Sequence, residues 1–235
     1  MRLNKFLSTV GIASRRKSDQ LIRDGKVSVN GKLVFELGID VNPKKDIVCF
    51  EGKQLSLPSN FVYYKFNKPK GYVCSASDEK GRKTIFDLID VPERVFYIGR
   101  LDYDTEGLLL LTNDGEFANK ISHPSYQIEK EYRVTVEGEM LESELAVLRK
   151  GVVVDGERMP TAKVKWLGFE KGFTKLSVVI NEGQNRQVRR MFEAIGKSIK
   201  LLKRVRIGEV VLGGLKRGEL KELKAKELAL LMEDM

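Results

Sequence analysis

The 235-residue sequence predicts an α+β protein of two domains. Three patterns carry that expectation. Apolar residues fall at helical spacing through the first two dozen positions, and a period-two alternation around Asn30-Gly31 follows. Beyond residue 60, strand-like runs are interrupted by short helices at irregular intervals rather than by a strict βαβ repeat. Apolar residues make up 42% and charged residues 32%, a globular balance in a chain long enough for one sizeable core plus a small appended domain. Pro58-Ser59-Asn60 is the expected linker, so the domains are predicted as 1–60 and 61–235.

Leu3, Phe6, Leu7 and Val10 share one helical face, and Gly11 breaks that helix. Ser14 is a fitting N-cap for a second helix from Arg15 to Asp24, with Leu21 and Ile22 inward and Gly25 as its stop. Arg15, Arg16 and Lys17 occupy its first turn, where the helix dipole disfavours cations. Something anionic binding there would justify that cost; a solvated basic turn is the alternative. Val27 to Val34 alternates around Asn30-Gly31, a strong hairpin signal, and a second hairpin is expected from Ile47 to Leu57 around Glu51-Gly52. In the larger domain the expected strands are 62–66, 96–98, 108–112, 132–137, 163–167, 176–180 and 205–211. Short helices are expected at 87–89, from about Glu116, from Gln184 to Ile195, and from Lys224 to Met232.

The net charge of +9 is unevenly placed. Residues 1–60 hold eleven Lys/Arg against six Asp/Glu, and residues 181–206 hold eight against two, while the remainder is slightly acidic. Such concentration suits a polyanion footprint, although scattered surface lysines can produce it as well. No apolar run approaches the ~20 residues of a membrane span, and the N-terminus lacks the pattern of a signal peptide. The protein is therefore expected in the cytoplasm, with Cys49 and Cys74 reduced. With His123 as the only histidine, neither a zinc site nor a His-based triad can be assembled, and no metal or cofactor is expected.

Three segments are candidates for chemistry. Gly99-Arg100-Leu101-Asp102-Tyr103-Asp104-Thr105-Glu106-Gly107 sets an arginine and a carboxylate two residues apart on a glycine-bounded loop that leads into Leu108–Leu111. Asn181 to Phe192 starts where a strand ends and contains Arg186, Gln187, Arg189 and Arg190. Periodicity does not set the direction of Arg189; paired with Asp102, it would keep that carboxylate ionised. Phosphate binding by the whole basic run is the other reading. Tyr132, at a strand start, is either core or a stacking platform for a displaced base.

Arg2-Leu3-x-Lys5-Phe6-Leu7, Ser14-Arg15-Arg16 and Gly25-x-Val27-x-Val29-Asn30-Gly31 together resemble the S4 RNA-binding domain. Five ordered motifs, beginning with this module, extend the resemblance over nearly the whole chain. They continue through Lys68-Pro69-Lys70-Gly71, Gly99-Arg100-Leu101-Asp102 with Thr105 to Leu109, Lys130-Glu131-Tyr132, and Glu182-Gly183 through Gln187 to Phe192. On these the chain resembles the pseudouridine synthases of the RsuA/RluB branch. The resemblance implies a catalytic domain with a mixed, mainly antiparallel sheet and flanking helices. It implies Asp102 as the catalytic aspartate, Tyr132 as the active-site tyrosine, Arg189 as the basic partner of the aspartate, and Arg100 as the residue that displaces the target uridine. It further implies RNA contacts by Leu101, Lys68, Arg186, Gln187, Arg190, Arg15, Arg16 and Lys17. The expected partner is ribosomal RNA or a pre-ribosomal particle, bound by a monomer. Residues 82–87 and 116–120 look more like the members that act on large-subunit (23S) RNA; a small-subunit (16S) uridine is the alternative.

Two other classes compete with this reading. Asp102, Asp104 and Glu106 alternate as carboxylates that a metal-dependent nuclease would use on Mg²⁺. A non-catalytic RNA-binding assembly factor would keep the basic segments and dispense with the carboxylate.

Overall fold

Leu3, Phe6 and Leu7 on α1 (Leu3–Thr9) pack with Ile22 on α2 (Arg15–Arg23), so the helical spacing of the first residues becomes a small core shared with Val27, Val41 and Val48. Ser14 caps α2, its hydroxyl accepting the Lys17 N–H at 3.3 Å. Strands β1 (Val27–Val29), β2 (Lys32–Leu33), β3 (Val48–Phe50) and β4 (Lys53–Gln54) form an antiparallel sheet in the order β2-β1-β3-β4. Both hairpin turns have positive φ at their two central residues, Asn30-Gly31 and Glu51-Gly52, the twist that matches two-residue hairpins. The computed structural model describes residues 1–154 and 156–233; Asp155 and, at the end of the predicted second domain, Asp234 and Met235 lie outside the described residues. Met1–Val62 with Asn113–Gly115 form one compact unit, and Tyr63–Thr112 with the chain from Glu116 onward form the other.

The second unit runs β5 (Tyr63–Lys68), a 3₁₀ turn at Ile85–Asp87, β6 (Phe96–Ile98), β7 (Glu106–Thr112), α3 (Gly115–Ser122) and β8 (Lys130–Glu137). There follow α4 (Glu142–Lys150), the small pair β9 (Val153–Val154) and β10 (Glu157–Arg158), β11 (Lys163–Glu170) and β12 (Phe173–Ile180). The chain ends with α5 (Gln187–Glu193), β13 (Ile199–Ile207), β14 (Val210–Val211), β15 (Leu220–Glu222) and α6 (Ala225–Glu233). Nine strands form one sheet ordered β11-β12-β8-β13-β7-β5-β15, with β14 on β13 and β6 on β7. Every pairing is antiparallel except β13 with β7, so the sheet is mixed and mainly antiparallel.

β7 is central, and all seven of its residues are buried. Leu108 and Leu110 enter one core with Ile98, Phe117, Ile121, Ile128, Ile207 and Val210. Each such side chain contributes roughly 1.5–3 kcal/mol by leaving water. The pairing registers set Lys68, Gly107, Arg204, Tyr132, Val178 and Val164 in one row across six strands. That row explains a glycine. Gly107 has φ +110°, and a Cβ there would lie 2.1 Å from the Arg204 carbonyl oxygen.

Several sequence expectations need correction. The 3₁₀ turn lies at Ile85–Asp87, not 87–89, because the Asp87 carboxylate accepts the Thr84 N–H and starts the turn two residues earlier. The strand expected at 205–211 is a hairpin of β13 and β14 turning at Gly208. The helix expected from Gln184 begins only at Gln187, since Arg186 adopts a left-handed φ of 50°. α4, the β9–β10 pair and β15 were not anticipated. For α4 the signals were present: Glu142 and Glu144 in the first turn, Arg149 and Lys150 in the last, Leu145 and Leu148 inward, and Gly151 beyond.

The close approach at Gly107 yields the first prediction. Gly107→Ala is expected to lower the unfolding free energy by on the order of 3 kcal/mol, through a strained φ and a forced separation of β7 from β13. Denaturant unfolding followed by circular dichroism measures this, and an unchanged midpoint contradicts the close approach.

Candidate active site

The loop between β6 and β7 carries Asp102, and several of its backbone groups are tied down. Lys68, wholly buried, donates from Nζ to Pro69 O at 3.1 Å, Asp102 O at 3.0 Å and Thr105 O at 2.9 Å, which uses all three ammonium protons. Tyr103 O accepts the Gly71 N–H at 2.8 Å, and Asp104 O accepts from Arg189 Nη2 at 3.3 Å. The four consecutive carbonyls from Asp102 to Thr105 therefore each have a donor. Thr105 N–H returns to Asp102 O at 3.1 Å and closes the turn. On its other side the Leu101 N–H meets Cys74 Sγ at 3.4 Å, and burial pushes the Cys74 thiol up. Burial lowers the pKa of Lys68, an effect offset by the nearby Cys74, Asp102, Asp104 and Glu106.

This loop forms one wall of a cleft of about 260 Å³. Asp102, Leu101 and Arg100 face it from the loop, Tyr132 and Lys130 from β8, Arg204 from β13, Glu182 and Arg186 from the segment joining β12 to α5, and Gln187 from the start of α5. Ile121, Ile180, Val188, Leu202 and Ile207 give it an apolar lining. Tyr132 is 7% exposed and Leu101 5%, whereas Arg100 and Arg186 are exposed. Among the described residues nothing hydrogen-bonds or ion-pairs with the Asp102 carboxylate. The cleft thus offers one free carboxylate, an aromatic ring and four cations around a space the size of a nucleobase with part of its sugar.

Three sequence expectations differ from what the structure places here. Arg189 does not pair with Asp102: its Nη2 lies 3.0 Å from Asp104 Oδ2 and 3.5 Å from Thr105 Oγ1. The 102–105 turn sends the two carboxylates in different directions, Asp104 toward α5 and Asp102 into the cleft. Lys68 is not available to RNA, since its ammonium is sealed among three carbonyls. Arg190 is half-buried and outside the cleft lining. The alternating carboxylates of the nuclease reading do not converge either. Glu106 is buried in a two-point ion pair with Arg217, with Nε and Nη2 both at 3.1 Å. Arg15, Arg16 and Lys17 are exposed on the first turn of α2 in the other unit.

Lys130 and Arg204 were missed as cleft residues. For Lys130 the signal was available, because residues two apart on a strand share a face and Tyr132 was already singled out. For Arg204 there was none, since β13 mixes apolar and basic residues without clean alternation. Burial, with the Arg204 charge beside it, lowers the Lys130 pKa to about 8, partly offset by Glu182.

Comparison with known proteins places the chain in a family. Residues 62–194 match the RNA pseudouridylate synthase family and residues 1–47 match the S4 domain. The chain belongs to the RNA pseudouridylate synthase family. It is 44% identical over 230 residues to ribosomal large subunit pseudouridine synthase B of Bacillus subtilis, covering 97% of this chain and 93% of that protein. It is likewise 44% identical over 235 residues to an RNA pseudouridine synthase of Aquifex aeolicus, covering 99% and 94%. A solved crystal structure of a pseudouridylate synthase superposes with a TM-score of 0.71 at 34% identity, over 98% of this chain and 99% of that one.

The Lys68 cage yields a second prediction. Lys68→Met leaves buried carbonyls unpaired at about 1–3 kcal/mol each, so stability should drop by roughly 2–5 kcal/mol. A loop displaced by ~1 Å should lower pseudouridine formation by about 10²-fold. Unfolding and single-turnover assays check both, and a fully active, fully stable variant refutes the cage.

Proposed function

We propose that this chain converts a uridine of large-subunit (23S) ribosomal RNA to pseudouridine, with Asp102 acting on the sugar of an extruded nucleotide. The observation that carries the reading is the unpaired Asp102 carboxylate in one cleft with Tyr132, on a loop whose carbonyls from Asp102 to Thr105 each have a donor. The Bacillus subtilis relative is named for the large ribosomal subunit, which supports that substrate.

The reaction breaks the N1–C1′ bond, turns the detached uracil and joins C5 to C1′. It is internal to one nucleotide, so atoms and electrons balance without a redox partner or group donor. Asp102 either adds to C1′ or removes a ribose proton; each role needs an ionised carboxylate held in place. Tyr132 stacks on or caps the turning base. Unstacking a uridine costs a few kcal/mol, which Arg100 offsets by occupying the vacated place. Arg186, exposed at the cleft, holds the flanking nucleotide, and Arg189 acts one step back, by anchoring Asp104 and the turn. Arg15, Arg16 and Lys17 supply phosphate contacts that select the RNA.

Asp102→Asn should abolish pseudouridine formation while RNA affinity stays within a few-fold. Mapping pseudouridines in ribosomal RNA from cells with and without the gene should show a single large-subunit position lost; a small-subunit position, or none, contradicts the substrate. Replacing Arg15, Arg16 and Lys17 together by Ala should weaken binding and reduce the slope of log affinity against log salt by about one unit for each phosphate no longer neutralised. An unchanged slope would mean that these residues do not touch phosphate.

A further inference from the structure

Two of the four cations in the cleft, Arg204 buried and Lys130 half-buried, form no ion pair with a carboxylate among the described residues. Lys130 Nζ donates to the carbonyls of Ile128 at 2.7 Å and Asn181 at 3.2 Å. Arg204, 4% exposed, donates from Nε to Leu108 O at 2.7 Å, and its Nη2 has no partner among the described residues. The two sit close enough that the Arg204 charge lowers the proton affinity of Lys130. Two like charges held together in a partly desolvated site are costly unless an anion or a strong acceptor joins them. Ile180 and Ile207 pair with Lys130 in adjacent strands, and Arg204 lies directly across from Tyr132. Gln187, 3% exposed in the same cleft, adds an amide Nε2 that also lacks a partner.

We propose that Lys130 and Arg204 form a cationic seat for the uracil ring, binding its carbonyl oxygens and stabilising the negative charge it acquires when its bond to ribose breaks. The inference rests on the isomerase reading above. When N1–C1′ cleaves heterolytically, both electrons leave with the ring and spread over N1, O2 and O4. C1′ is taken by the Asp102 carboxylate, or a ribose proton is lost to it. After rotation the ring electrons form C5–C1′, the ribose recovers what it gave, C5 loses its proton, and N1 gains one. The charge on the detached base is therefore transient, and preorganised cations that meet it lower the barrier without being consumed.

Depth separates this role from phosphate binding. A phosphodiester remains attached to the chain at the mouth of the cleft, where Arg100 and Arg186 are exposed. The half-buried Lys130 and the buried Arg204 are left to the base. Lys130 faces Arg204 from β13, Glu182 from the segment after β12, Asp102 and Arg100 from the loop, and Arg186 before α5. Glu182 is the acidic group that supports its charge.

The test uses the full chain and a ribosomal RNA fragment containing the target uridine, with Lys130→Met and Lys130→Arg beside the wild type. At saturating RNA, Lys130→Met should lower the single-turnover rate at least ~100-fold, with affinity within ~3-fold and the salt slope unchanged. The wild-type rate should fall as pH rises through about 8, where Lys130 loses its proton. Lys130→Arg should retain rate to within ~10-fold of wild type and move that fall to higher pH, whereas Lys130→Met should not show it. Because the folded protein depresses the Lys130 pKa, its charge opposes folding below about pH 8, and that opposition fades as pH rises toward 10.5. Lys130→Met should therefore unfold at the wild-type midpoint or above it at neutral pH. An unchanged rate overturns the proposal. So does weaker binding with a salt slope reduced by about one unit and a normal saturated rate, which would mark a phosphate contact. A slow, destabilised Lys130→Met that Lys130→Arg does not rescue assigns Lys130 a structural role and overturns it too. A wild-type chain that makes no pseudouridine removes the isomerase reading itself, whereas an active wild type with an indifferent Lys130→Met removes only this inference.

Discussion

The buried Lys68 ammonium is the contact on which the site depends. Its three protons go to Pro69 O, Asp102 O and Thr105 O, so a side chain from β5 sets the backbone of a loop more than thirty residues away. A loop carbonyl facing the interior needs a donor, and water is not available there. Lys68 supplies that donor twice, and Gly71 N–H and Arg189 supply the others, so each of the four carbonyls of the turn is engaged. The Asp102 side chain stands on this frame with its carboxylate unengaged. Rigid backbone and free functional group are the combination that positioned chemistry requires.

Charge is sorted around that frame by partner and depth. Glu106 is neutralised by Arg217 and Asp104 by Arg189, which leaves Asp102 as the unpaired carboxylate of the three. Polar neighbours off this row are also satisfied: Arg206 bridges Glu129 and Glu131, and Lys163 and Ser177 complete that network. Lys130 and Arg204 form no ion pair among the described residues, with Glu182 the acidic group that acts on Lys130. Structural ion pairs and unpaired charge thus occupy separate places in one sheet, which is how a functional cluster differs from ordinary polar surface.

Much of the fold was legible because local rules acted where they had no competitor. Ser14 capped α2, Asn30-Gly31 and Glu51-Gly52 turned their hairpins, and Leu108 to Leu111 read as a buried strand. Local signals failed where non-local contacts set the outcome. β15 is three residues long and exists through its pairing with β5. The late start of α5 follows from the left-handed backbone of Arg186, a conformation that side chains rarely adopt. In the site, Asp102, Arg100 and Tyr132 were recognisable from motif and spacing. The true partner of Arg189 was not, because Asp102 and Asp104 are equally plausible until the 102–105 turn separates them.

The amino-acid sequence on its own determined the two-domain α+β organisation, the family, and the loop that bears the carboxylate. Each of these resides in contiguous residues whose spacing carries the information. Only the tertiary structure decided that Lys68 is a strut, that Arg189 holds Asp104, and that Lys130 and Arg204 meet in the cleft. Those relations join strands far apart in the chain, and sheet register, the quantity that aligns Lys68, Gly107, Arg204 and Tyr132, arises only when the strands pair.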